Sequence, residues 1–180
     1  AKGWIEPTWP VEEGGIGATP LQAAILNQEV RARRMPTITH GTTSLVAPAV
    51  RKWIADPMKT EILRGVAAGE IFFCLGYTEP DAGSDLAALR CRAELHGDHF
   101  VVNGQKTWNS NGDRAHWCQL YVRTDANASR HRGISCLLVD MGSPGIEVRP
   151  IATMAGDAGF ADVFFHDVRV PADALLGALH

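Results

Sequence analysis

Hydrophobic positions along this chain fall into two textures, and the change comes close to residue 70. Before it, apolar residues recur at helical spacing. Thr19-Pro20 reads as an N-cap followed by proline in the first helical position, and Leu21, Ala24, Ile25 and Gln28 continue on one face. Arg31, Arg33 and Arg34 suit the negative end of that helix's dipole, and Pro36 ends it. A second helix is predicted within 37–54, interrupted near Pro48. A third opens with Asp56 as cap and Pro57 in its first turn. It carries the stripe Met58, Ile62, Leu63, Val66 and stops at Gly69.

Beyond residue 70, short runs rich in Phe, Val, Ile, Leu and Trp alternate with Gly, Asn, Asp and Pro clusters. Strands are predicted over 71–77, 89–95, 99–102, 105–110, 117–123, 133–140, 146–151 and 161–170. His96-Gly97-Asp98 and Ser143-Pro144-Gly145 read as turns. Asn103-Gly104 is the strongest short hairpin signal, expected to turn the third strand into the fourth. The predicted class is α+β: a helical segment over 1–70, then an antiparallel barrel- or sandwich-like β domain over 71–180.

Composition narrows the function. Apolar residues make up 46 % and charged residues 21 %, with 17 Lys+Arg against 20 Asp+Glu and a formal charge of −3. That balance is ordinary for a globular protein and lacks the basic excess of a nucleic-acid binder. Cys74, Cys91, Cys118 and Cys136 each sit in an apolar run without a CxxC pair, so they read as buried free thiols in a reducing compartment. The most apolar run, 71–77, is far shorter than the roughly 20 residues that span a bilayer. No signal peptide is apparent, and a cytoplasmic location is expected. The chain opens at Ala1 rather than Met and closes soon after a strand-like run, so it reads as a piece of a longer protein.

Several motifs dissolve on inspection. Gly14-Gly15-Ile16-Gly17 lacks the preceding strand a dinucleotide fingerprint needs, and reads as a turn into the first helix. His96, His99, His131 and His166 lack partners at metal-ligand spacing, so no metal site is expected. No Gly-x-Ser-x-Gly elbow occurs. Two segments are denser in chemistry. Residues 77–85 place Tyr77, Thr78, Glu79, Asp81 and Ser84 in one loop at a strand end, where hydroxyls and backbone N–H groups can meet a polar ligand. Residues 103–112 carry Trp108 and, two positions on, Ser110. Read alone, Trp108 is most simply a core residue. Alternation along a strand would instead put Trp108 and Ser110 on one face, where an indole and a hydroxyl could flank an aromatic ring.

Taken together, the motifs resemble the acyl-CoA dehydrogenase family. Gly3-Trp4 through Pro10, Glu12, Gly14-Gly15 and Gly17 resembles its early stretch, and Thr78-Glu79-Pro80 with Ala82-Gly83-Ser84-Asp85 resembles its TEPGAGSD loop. Asn103-Gly104-Gln105-Lys106-Thr107-Trp108 resembles NGxKxW, and Val168-Arg169-Val170-Pro171 with Leu176-Gly177 resembles the close of its middle domain. The resemblance implies later helices of the family's N-terminal helical domain and essentially all of its middle β domain, without its C-terminal helical bundle.

It also implies bound FAD, held by Leu75, Tyr77, Thr78 and Ser84 in a first segment and by Trp108, Asn109 and Ser110 in a second. Ser84 is implied to touch the acyl-CoA substrate as well. Ser110 stands where the family usually has Thr, Asn109 where an apolar residue is usual, and Asp81 where the loop usually has Gly. The implied reaction is 2,3-desaturation of an acyl-CoA thioester in lipid and fatty acid β-oxidation, with α-proton removal and β-hydride transfer to flavin N5. No catalytic base is assigned within 1–180: the family's Glu belongs to the C-terminal bundle, and Glu79 falls in the flavin loop. An electron-transfer flavoprotein or similar acceptor, and a homo- or hetero-oligomer (dimer or tetramer), are the implied partners. The alternatives are an acyl-CoA oxidase, or related oxygen-using flavoprotein, and a non-catalytic partner subunit of a mixed oligomer.

Overall fold

A computed structural model describes residues 2–35, 40–156 and 159–180. The three helices are α1 (Pro20–Ala32), α2 (His40–Trp53) and α3 (Met58–Ala68). The strands are β1 (Phe73–Gly76), β2 (Arg92–His96), β3 (His99–Ser110), β4 (Trp117–Arg123), β5 (Ile134–Asp140), β6 (Ile146–Ile151) and β7 (Phe160–Pro171). Pro36 and the predicted start of the second helix at 37–39 lie outside the described residues.

The helices follow their local chemistry with two departures. Thr19 and Gln22 form the capping box that opens α1, each side chain accepting from the other's backbone N–H. Its predicted stripe (Leu21, Ala24, Ile25, Gln28) faces outward, and Ala23 is the buried residue of the helix. Helix α2 runs unbroken through Pro48, against expectation. Proline removes one backbone donor there, but Val46, Ala47 and Val50 are fully buried and hold the helix in place. Helix α3 starts one residue later than predicted. Asp56 does not cap it; its carboxylate accepts from the Thr60 hydroxyl at 2.6 Å and pairs with Lys59 at 3.1 Å. Gly69 closes it in a left-handed conformation, as expected.

The seven strands form one curled sheet in the order β1-β4-β2-β3-β7-β6, with β5 also paired to β4. Most pairings are antiparallel, as predicted, but β1 and, through one residue pair, β2 run parallel to β4. Helices α2 and α3 pack against the sheet. Val46, Val50, Ile62, Leu63 and Val66 join Phe73, Leu120 and Leu137 in one apolar cluster that is continuous from helices to sheet. The four cysteines are all buried and free. Burial pushes the Cys91 thiol up to about 12 and Cys136 to about 11. A hydrogen bond with Cys74, together with burial, pushes Cys118 well up.

Asn103-Gly104 is not a hairpin. Residues 99–110 form a single strand, and both predicted halves pair with β7. The Asn103 carboxamide bonds Asp167 on β7 twice: Nδ2 donates to Oδ1 at 2.9 Å, and Oδ1 accepts from the Asp167 N–H at 3.0 Å. Gly104 is needed for a close crossing, since a Cβ there would lie 2.7 Å from Cys91 Cα, and its φ is +146°. The ladder slips by one residue on β7 between Val102 and Gly104. It slips back on β3 between Lys106 and Asn109, so the original register returns.

One buried ion pair ties these pieces together. Lys106, with no exposed surface, donates to Glu79 Oε1 at 2.8 Å and to the Tyr77 carbonyl at 3.2 Å. The Glu79 carboxylate also accepts from the N–H groups of Arg90 at 2.6 Å and Cys91 at 2.9 Å.

Three outcomes follow for equilibrium unfolding and thiol chemistry. Glu79→Gln should lower unfolding free energy by about 3–5 kcal/mol in urea titrations, because it leaves a buried ammonium uncompensated. Gly104→Ala should cost about 2–4 kcal/mol through the collision with Cys91 and the left-handed backbone. A thiol reagent at pH 8 should leave all four cysteines unmodified in the native chain and react with each once denaturant unfolds it.

Candidate functional site

The two chemistry-bearing segments lie side by side. The Thr107 N–H donates to the Thr78 carbonyl at 2.9 Å, directly beside the Lys106 contacts with Tyr77 and Glu79. Reciprocal backbone bonds between Glu79 and Ala82, at 2.9 and 3.1 Å, close the turn that presents Gly83 and Ser84 outward. Glu79 itself is buried and bonded through both oxygens, so it serves as a bracket and has no lone proton-acceptor role to offer solvent.

Trp108 departs from its simplest reading. It is the extra residue of the β3 bulge, in a left-handed conformation (φ +58°), and it is 57 % exposed. A large side chain rarely takes that backbone, which costs on the order of 1–3 kcal/mol. Its indole meets Phe160 edge to face, with ring centroids 5.8 Å apart, and the rest stands open. The bulge also breaks the alternation that would have placed Trp108 and Ser110 on one face: Lys106 and Asn109 are buried, three positions apart.

The other expected residues divide by exposure. Ser84 is exposed, while Leu75, Tyr77, Thr78 and Ser110 are half-buried. Tyr77 stacks obliquely on Tyr121 at 4.7 Å, and burial pushes both phenols up, keeping them protonated near neutral pH. The hydroxyls of Thr78, Ser84 and Ser110 have no hydrogen-bond partner among the described residues, and so are available donors. Asp81 faces Arg90 at 3.6 Å on the surface, so its negative charge has a local counterion. Asn109 has no exposed surface at all.

Sequence reasoning assigned no role to Lys106 or Phe160. A single lysine inside an otherwise buried strand position, two residues before an exposed Trp, is the pattern that marks the first. Phe160 is found only through the cross-strand pairing that brings it against Trp108. No cluster of three metal-ligating side chains occurs among the described residues. β3 thus carries an exposed indole at Trp108, and the loop bonded to β3 through Thr78 carries hydroxyls without partners among the described residues.

Comparison with known proteins identifies the family. The family description "Acyl-CoA dehydrogenase, N-terminal domain" matches residues 1–70, and "Acyl-CoA dehydrogenase, middle domain" matches 74–168. The acyl-CoA dehydrogenase IpdE1 of Mycobacterium tuberculosis is 38 % identical over 171 residues, covering 94 % of this chain and 44 % of the relative. Acyl-CoA dehydrogenase FadE29 of the same organism is 40 % identical over 169 residues, covering 94 % and 43 %. The solved Tcur3481-Tcur3483 steroid ACAD superposes with a TM-score of 0.86 at 35 % identity, over 98 % of this chain and 46 % of that one. The ChsE4-ChsE5 complex from Mycobacterium tuberculosis gives 0.82 at 38 % identity, over 98 % and 45 %. The chain thus spans just under half the length of these relatives. With two domain matches in chain order and relatives this similar along almost all of its length, the chain belongs to the acyl-CoA dehydrogenase family.

Proposed function

We propose that the whole protein is an FAD-dependent acyl-CoA dehydrogenase, with residues 1–70 belonging to its helical domain and 71–180 to the β domain that holds cofactor and substrate. The observation that carries this reading is Trp108: an exposed indole held in a costly backbone conformation, one residue past the backbone bond that joins β3 to the Thr78 loop. Such strain at a surface aromatic serves a ligand rather than a core. The residues fit a flavin. Trp108 offers a face for a planar ring, Ser110 and Thr78 offer donors for its polar edge, and the exposed Ser84 is the hydroxyl assigned to an acyl thioester.

Bound FAD would supply the hydride acceptor for 2,3-desaturation. The chain's own part is positioning and polarisation. Trp108 covers one side and excludes water there. Ser110 and Thr78 would offer hydroxyl donors to the polar edge of a bound flavin. Tyr77, packed on Tyr121, backs the Thr78 loop. Leu75 gives that wall an apolar surface at the end of β1. Glu79 holds the loop through both its oxygens, and no general base is assigned within residues 1–180. Electrons would then pass to an electron-transfer flavoprotein or similar acceptor.

The full-length protein should purify yellow with FAD, and an acyl-CoA substrate should bleach it without oxygen. Colourless protein that cannot be reconstituted with FAD would overturn the reading. Ser110→Ala should slow flavin reduction about 10- to 100-fold, the worth of one hydrogen bond to developing charge, with unfolding unchanged. Unaltered reduction kinetics would remove Ser110 from that role.

A further inference from the structure

The Asn109 side chain is unusual for its place. It is fully buried in the middle of a strand, immediately after the strained Trp108. Its Nδ2 donates to the carbonyl of Ala161, its own cross-strand partner on β7, at 3.2 Å. Its Oδ1 is buried without a partner among the described residues. An aliphatic side chain would fill such a space with no orphaned acceptor, and a buried unsatisfied oxygen costs about 1–3 kcal/mol. The carboxamide therefore does something that volume alone does not.

Its location says what. The β3–β7 ladder is lost between Lys106 and Asn109 and resumes at the Asn109–Ala161 pair. Trp108 lies in that gap without a ladder partner of its own. Upstream, Lys106 is tethered by Glu79 and Tyr77. Downstream, the Gly112 N–H donates back to the Asn109 carbonyl at 3.1 Å, and a Cβ on Gly112 would press on the Cβ atoms of Asn109 and Ala161 at 3.1 and 3.2 Å. The chain thus folds tightly over this carboxamide. We infer that Asn109 is a positioning residue for Trp108: by bonding Ala161 it closes the bulge from the far side, locks the left-handed backbone at Trp108, and so sets where the indole stands. The consequence for a bound flavin rests on the function proposed above; the hold on Trp108 does not.

The test separates the two. Full-length protein, prepared without flavin and labelled with 5-fluorotryptophan, gives a 19F resonance for Trp108 that Trp108→Phe identifies. Asn109→Leu keeps bulk and removes the amide donor; Asn109→Ala removes both. Both variants should shift or broaden the Trp108 resonance and leave the other tryptophans in place, whereas Val163→Ala, a core truncation on β7, should not. A Trp108 signal unchanged in Asn109→Leu overturns the inference, since packing alone would then hold the bulge. In flavin-loaded protein both Asn109 variants should shift the flavin's midpoint potential. They should also slow its reduction, by up to about 100-fold for roughly an ångström of misplacement. An unchanged potential and unchanged reduction beside a shifted resonance would overturn the step from Trp108 to the flavin. Failure of unsubstituted protein to bind FAD strikes the proposed function, and the 19F comparison still decides the role of Asn109.

Discussion

Lys106 has no water to turn to, so Glu79 decides where β3 lies. The carboxylate gathers three donors from two stretches of chain: the ammonium of β3, and the backbone N–H groups of Arg90 and Cys91 at the approach to β2. A pair of aliphatic residues would bury as well, but would say little about register. A charge says a great deal. Sliding β3 by one residue would turn the ammonium to the opposite face and strand both charges. The loop after β1 and the middle of β3 are thereby locked together, and the Thr107–Thr78 backbone bond completes the seam.

What lies one residue past that seam is affordable only because of it. Trp108 sits in backbone space that bulky residues avoid, with most of its ring outside the core. Such a conformation persists when its surroundings over-determine it. Here the tether at Lys106 is on one side and the Asn109–Ala161 bond on the other. The hydroxyls of Thr78 and Ser110 gain fixed positions from the same two supports.

Much of this was legible in the residues. Helix α1 was announced by Thr19, Pro20 and Gln22, the end of α3 by Gly69, and β4 and β6 by alternating apolar runs between turns. These are local effects, decided within a few residues. The misreadings share a different origin. Asn103-Gly104 has hairpin chemistry, but Asp167, 64 residues away, claims the Asn side chain, and Cys91 demands the Gly. Pro48 has helix-breaking chemistry, but burial of its neighbours overrides it. Trp108 looked like core because its exposure depends on a slip in pairing with β7 that no spacing within β3 reveals. The loop at 77–85 and the strand beyond Gly104 were recognisable as dense in chemistry. Their meeting was not, because it depends on partners 27 and 29 residues apart.

The two irregularities in the β3–β7 ladder are equal and opposite: one extra residue on β7 near Asp167, one on β3 at Trp108. They act as a pair of phase defects that cancel. Strand pairing from His99 to Val102 and from Asn109 to Ser110 therefore shares one frame, and the stretch between them runs in another. Removing Trp108 alone would throw the end of β3 out of phase with Ala161 and everything that depends on it. Removing Trp108 and Asp167 together would leave a continuous, regular ladder, well formed but flat where the exposed indole now stands. The ladder could be built straight; the platform exists because it is not.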